Sequence, residues 1–112
     1  MFDVLTGFRR ALIDCLRCES GFEDRSAALV AAYDLGDVAA TGEPPSSVTA
    51  GLDARSAELL GRVRRFDAGP LGLTLSGPAY RDTPIIYANE TLRGLTGYSL
   101  DELRGENPRL FQ

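Results

Sequence analysis

An α+β fold is predicted by three features of this 112-residue chain. Apolar residues recur at steps of three and four through most of the first two thirds. Alternation by two, then a β-branched and aromatic run, marks a pair of strands further on. Helix caps follow the second strand at once. A hydrophobic content of 44% with 25% charged residues is that of an ordinary folded protein. A chain this short buries only a little over ~60% of its unfolded surface, so its core must be small.

Residues 1–38 read as a helical segment. Met1, Leu5, Phe8, Leu12, and Cys15 or Leu16 form one apolar stripe, with Asp3, Arg9, Arg10 and Asp14 largely elsewhere, which predicts a helix over 1–18 ended by Ser20-Gly21. A second helix is predicted over 24–35. Its alanines are strong helix formers, Leu29, Val30 and Tyr33 give it an apolar side, and Gly36 stops it. Cys15 and Cys18 are spaced C-x-x-C but lie within helical periodicity. No second pair or histidine accompanies them to close a four-ligand zinc site. Core or surface cysteines are the plain reading; a redox pair or a metal shared between subunits is the other.

Residues 39–50, rich in Pro, Ser, Thr and Gly, read as a linker, because Pro44-Pro45 forbids continued helix. Residues 51–67 then carry Leu52, Ser56, Leu59, Val63 and Phe66 at heptad-like steps, with Leu60 alongside. This amphipathic helix either packs on the sheet or the first helix, or forms a dimerising seam. Glu58 and Arg62 sit four apart for a helical ion pair. Arg62, Arg64 and Arg65 are the one basic knot and read as a solvated helix end.

In the region 68–112, Leu71, Leu73 and Leu75 alternate with Gly72, Thr74 and Ser76, predicting a strand with one buried face. Pro84, Ile85, Ile86 and Tyr87 predict a second, with Pro84 confined to its start because it has no N–H to give a ladder. Asn89 is the expected cap of a short helix stopped by Gly97, and Ser99 with Glu102 forms a capping box. Pro108 suits the first turn of a further helix.

These residues, in this order, resemble a PAS domain. The pieces are the first strand, Pro84-Ile85-Ile86-Tyr87-Ala88-Asn89, Leu95-Thr96-Gly97-Tyr98, the capping box, and Gly105-x-Asn107-x-Arg109-x-x-Gln112. The closest subgroup is the light-oxygen-voltage (LOV) type. The resemblance covers 68–112 and implies the opening portion of that fold; the family's domain continues through one more helix and three strands. It also implies flavin, FMN or FAD, as the cofactor of a complete domain, with Thr74 lining the pocket and Asn107, Arg109 and Gln112 binding the ribityl and phosphate groups. The plain alternative makes Asn107 a helix cap, Arg109 a solvated charge and Gln112 a frayed end, and no cofactor is then expected in this stretch alone. Pro108 stands where the photoactive subgroup carries its adduct-forming cysteine, so adduct photochemistry is not expected.

Several functions are disfavoured by composition. There is no histidine for imidazole-based metal hydrolysis or the usual triads, no Walker loop, and no G-x-G-x-x-G. A net charge of −4 argues against nonspecific nucleic-acid binding. Neither a signal peptide nor a ~20-residue apolar span is apparent, so a cytoplasmic protein with no membrane contact is expected. Asn89-Glu90-Thr91 is then a chance glycosylation match.

The expectation is a noncatalytic sensory module of the kind found in bacterial and archaeal histidine kinases, transducers and opsin-activator-type transcription regulators. It would pass ligand or partner state through the helix before the first strand. A homodimer is expected through that helix or through a sheet edge, since two strands alone are marginal. The alternatives are an oligomerisation or protein-interaction domain without cofactor, and a cysteine-less flavin photoreceptor.

Overall fold

The computed structural model describes residues 4–77 and 84–107. The observed order is α1 (Val4–Leu16), α2 (Phe22–Ala32), α3 (Ser46–Thr49), α4 (Ala54–Arg64), β1 (Thr74–Ser76), β2 (Ile85–Ala88), α5 (Glu90–Thr96) and α6 (Leu100–Leu103). The fold class is α+β, as the sequence predicts. The helix expected around Pro108 falls outside the described residues. Among those described, no helix is long and apolar enough to cross a membrane. The chain forms two compact units, Met1–Val38 and Ala39–Gln112.

In the first unit the predicted stripe of α1 is the buried one: Phe8, Leu12 and Cys15 are covered, as is Leu29 of α2. The Phe8 and Tyr33 rings meet edge to face, with centroids 5.0 Å apart. α2 begins at Phe22, earlier than expected, after Gly21 in the left-handed region. It also ends earlier, at Ala32, because Asp34 turns left-handed (φ 52°) ahead of Gly36. Cys15 belongs to the core and Cys18 lies half-buried beyond the helix end, with no disulfide between them.

The second unit corrects two readings. The stretch 39–50 is more than a connector. Pro45, extended, leads into α3, whose Val48 is 1% exposed and part of the main core. Ala40 N–H donates to Arg64 O (2.8 Å), and Arg64 Nη1 donates to Gly42 O (3.2 Å). The basic knot is likewise not simply solvated. Arg62 is buried and bonded to Glu58 Oε1 at 2.8 Å, while Arg64 serves backbone carbonyls. Aliphatic stems and delocalised charge let guanidinium groups lie against a core where lysines would not.

α4 is capped by Asp53, whose side chain accepts from Ser56 N–H (2.8 Å); hydrogen bonding to Ser56, from its side chain first and then its backbone, holds the carboxyl below its usual range. Its stripe packs on the sheet. Leu60 and Val63 join Val48, Leu75, Ile86 and Tyr87 in one buried cluster, with Leu52 and Leu59 at its margin. Of the two readings of this helix, the inward one describes its apolar side.

The strands pair antiparallel, with Thr74 opposite Ala88, Leu75 opposite Tyr87, and Ser76 opposite Ile85. One residue of β1 thus spans two of β2, which leaves Ile86 as the extra residue of a bulge. The bulge breaks the period of two. Ile86 and Tyr87 pack toward α3 and α4, whereas Ile85 and Ala88 pack with Leu103 and Leu92. All four β2 residues are therefore buried, not half-buried as the sequence pattern suggests. The Ile85 end of β2 is closed by the chain after α6: Ile85 N–H donates to Glu106 O (2.7 Å), and Gly105 N–H donates to Ile85 O (3.0 Å).

Gly72, part of the alternating run before β1, lies against α5. A Cβ there would fall 2.9 Å from Leu92 Cδ1 and 3.2 Å from Leu92 Cα. A glycine inside a strand-like pattern often marks such an approach. Gly72→Ala is therefore expected to cost about 1–3 kcal/mol by overpacking, measured as a lowered denaturant midpoint with an unchanged m-value.

Candidate functional site

Two buried polar side chains of the second unit, Asn89 and Asp67, lie at one junction, where the exit of α4, the approach to β1, and the turn from β2 into α5 meet. Asn89 is its centre and is 0% exposed. As the sequence predicts, it caps α5: its Oδ1 accepts from Leu92 N–H at 3.0 Å. The same oxygen also accepts from Leu73 N–H at 2.8 Å. Its Nδ2 donates to Phe66 O at 3.1 Å and to Leu71 O at 3.0 Å. All of the amide's directional capacity is used. This explains why the leucine alternation before Thr74 is not a strand: Leu71 O and Leu73 N–H meet the Asn89 side chain in place of a neighbouring backbone, and of these two residues only Leu73 O takes a backbone partner among the described residues, Asn89 N–H (2.9 Å).

Asp67, three residues beyond α4, stands beside it and is buried. Its Oδ1 accepts from the Tyr87 hydroxyl and from Glu90 N–H (3.3 Å), and its Oδ2 pairs with Arg93 Nη2 at 3.6 Å. Thr91 donates through its backbone to Asp67 O (3.2 Å) and through its hydroxyl to Gly69 O. Arg93 also donates from Nε to Ala88 O (3.1 Å). Both oxygens of the carboxylate are thus engaged, so it acts as a tie between α4, β2 and α5, not as a free base.

Burial first, then the hydrogen bond from its hydroxyl to Asp67 and that residue's charge, push the Tyr87 phenol above the ordinary 10.0. Asp67 gives no sequence signal, since it occupies no cap or periodic position. Only its distant partners assign it a role.

The residues expected from the resemblance are placed as follows. Thr74 is exposed on β1, opposite Ala88. Asn107 is half-buried and directly follows the Gly105-Glu106 pair that bonds Ile85 at the other end of the register. Arg109 and Gln112 lie outside the described residues, as does Pro108. Among the described residues there is no cluster of three or more His, Cys, Asp or Glu side chains placed to hold a metal.

Comparison with known proteins yields two short likenesses. Over 51 residues, 46% of this chain and 8% of the relative, the sequence is 39% identical to a bacterioopsin transcriptional activator of Halobacterium salinarum. Over 43 residues, 38% of this chain and 9% of the relative, it is 44% identical to a blue-light-activated histidine kinase of Brucella anthropi. The chain matches less than a tenth of either relative's length. No family model and no solved structure matches. Part of this chain is therefore similar to a segment of two regulatory proteins, one of them light-activated.

Because the Tyr87 pKa is raised on folding, the unfolded chain ionises first. That contribution to stability is complete below pH 10 and is lost as pH rises beyond it. In a spectrophotometric titration a late tyrosinate component is expected in the folded protein, and Tyr87→Phe should remove it.

Proposed function

We propose that this chain is a noncatalytic sensory module of PAS type, LOV-like but without the adduct-forming cysteine, and that it relays a ligand or partner state through α4. Three things support the reading. Its motifs follow the family order, and its two short likenesses are to a transcriptional activator and a light-activated kinase. The order of strand pair and short helices also agrees with the opening of such a domain.

The observation that carries the relay is Asp67. One buried carboxylate just beyond α4 is bonded to a β2 hydroxyl, an α5 amide and an α5 guanidinium. A displacement of α5 or β2 therefore reaches the end of α4 through a single side chain. α5 and α6 flank Ile85 and Ala88, on the side of the sheet shared by their cross-strand partners Thr74 and Ser76. A ligand held by Thr74 would act on that side, and Asn107, Arg109 and Gln112 are its other proposed contacts. Flavin is the candidate in a complete domain, and with Pro108 in place of cysteine it would form no thiol adduct.

Self-association belongs to the same proposal. The apolar side of α4 is engaged with the sheet and the Ile85 end of β2 is closed. Among the described residues β1 pairs with β2 alone, so its outer edge is the surface left for a second copy.

Two measurements test the reading. Asp67→Asn should shift the backbone amide resonances of Leu60–Phe66 together with those of Glu90–Thr96; shifts confined to α5 would remove the relay. Protein reconstituted with FMN and illuminated without oxygen should show no bleaching of the blue absorbance band that reverts in the dark, because reversal without an oxidant marks a thiol adduct and would contradict the reading.

A further inference from the structure

Away from that junction, a cleft of about 240 Å³ opens where the α3 turn, the start of β2 and the end of α6 meet. Its walls include Val48, Leu52, Pro84, Ile86 and Gly105, and Arg104 is the one charged side chain among the described lining residues. Arg104 Nη2 is anchored on Ser47 O at 2.6 Å, the carbonyl just before Val48 of the cleft wall. Its Nε is buried and has no hydrogen-bond partner, and no carboxylate among the described residues pairs with it. Arg64 Nε is likewise buried without a partner, but Arg64 does not line this cleft; Arg62 and Arg93 each have an acidic partner.

We infer that this cleft is a binding site for a small monocarboxylate with a short apolar tail. A guanidinium beside an apolar cleft, held by one backbone carbonyl and with no carboxylate partner among the described residues, keeps its charge and its Nη1 donors for a carboxylate. The aliphatic walls match a hydrocarbon tail. At about 240 Å³ the cleft falls below the roughly 300 Å³ at which sites for drug-sized ligands begin, so flavins and nucleotides are too large for it. The site involves none of Thr74, Asn107, Arg109 or Gln112, and it does not depend on the sensory reading. It touches both the α3 turn that leads into α4 and the β2 strand that carries Tyr87.

The test is titration of the full ¹⁵N-labelled chain with hexanoate and, separately, with hexanamide, a neutral molecule of the same shape. Hexanoate should give saturable shifts confined to the amides of Val48–Leu52, Ile85, Ile86 and Gly105, and hexanamide should bind at least tenfold more weakly. Arg104→Gln should weaken hexanoate at least tenfold. Because that change also removes the Ser47 bond, Ala50→Phe, which fills the cleft from an exposed position, provides the second variant and should have the same effect. Equal binding of acid and amide, shifts centred on other arginines, or undiminished hexanoate binding in either folded variant would overturn the assignment.

Discussion

Everything in the carboxy-terminal unit depends on the complete hydrogen bonding of one buried amide, that of Asn89. Two donors and two acceptors drawn from three segments of chain converge on it. Each buried polar atom left unmatched costs about 1–3 kcal/mol, against a total stability of about 5–15 kcal/mol for a typical domain. The exit of α4, the run before β1 and the first turn of α5 can therefore exist in their observed places only together. Asp67 extends the same logic to a charge: its burial is tolerable because a hydroxyl, an amide and a guanidinium all point at it.

Around this junction a very small sheet becomes viable. Two strands of three and four residues would be marginal alone. Here β2 is covered on both sides, by α3 and α4 through Ile86 and Tyr87 and by α5 and α6 through Ile85 and Ala88. The bulge makes this possible, because it lets adjacent residues turn to opposite layers. The backbone bond from Ala40 to Arg64 O and the side-chain bond from Arg64 Nη1 to Gly42 O draw residues 40–42 onto the end of α4.

Local rules were legible in the sequence wherever a side chain acts on its own helix. The Asn89 cap, the left-handed Gly97 stop, the Ser99–Glu102 box and the start of β2 after Pro84 all form as predicted. What was hidden lies at long range. Nothing in the spacing of Asn89 indicates that its amide also reaches back to Phe66, Leu71 and Leu73, or that Val48 in a proline-rich stretch enters the core. Arg62 reads as solvated because periodicity reports the side of a helix, not what lies across from it. Of the site itself, Thr74 and Asn107 can be placed, and the Asp67–Tyr87–Arg93 tie could be seen only once distant segments were brought together.

The relay proposed above requires a rigid joint between the sheet and α4, and the Asn89 junction has the form of one. Native-state amide hydrogen exchange on the intact protein tests that rigidity directly. The amides of Leu73 and Leu92 both donate to Asn89 Oδ1. They should open with a common free energy, matched by the Asn89 amide itself. Leu73 exchanging orders of magnitude faster than Leu92 would show that the run before β1 opens independently of α5, and would contradict the account.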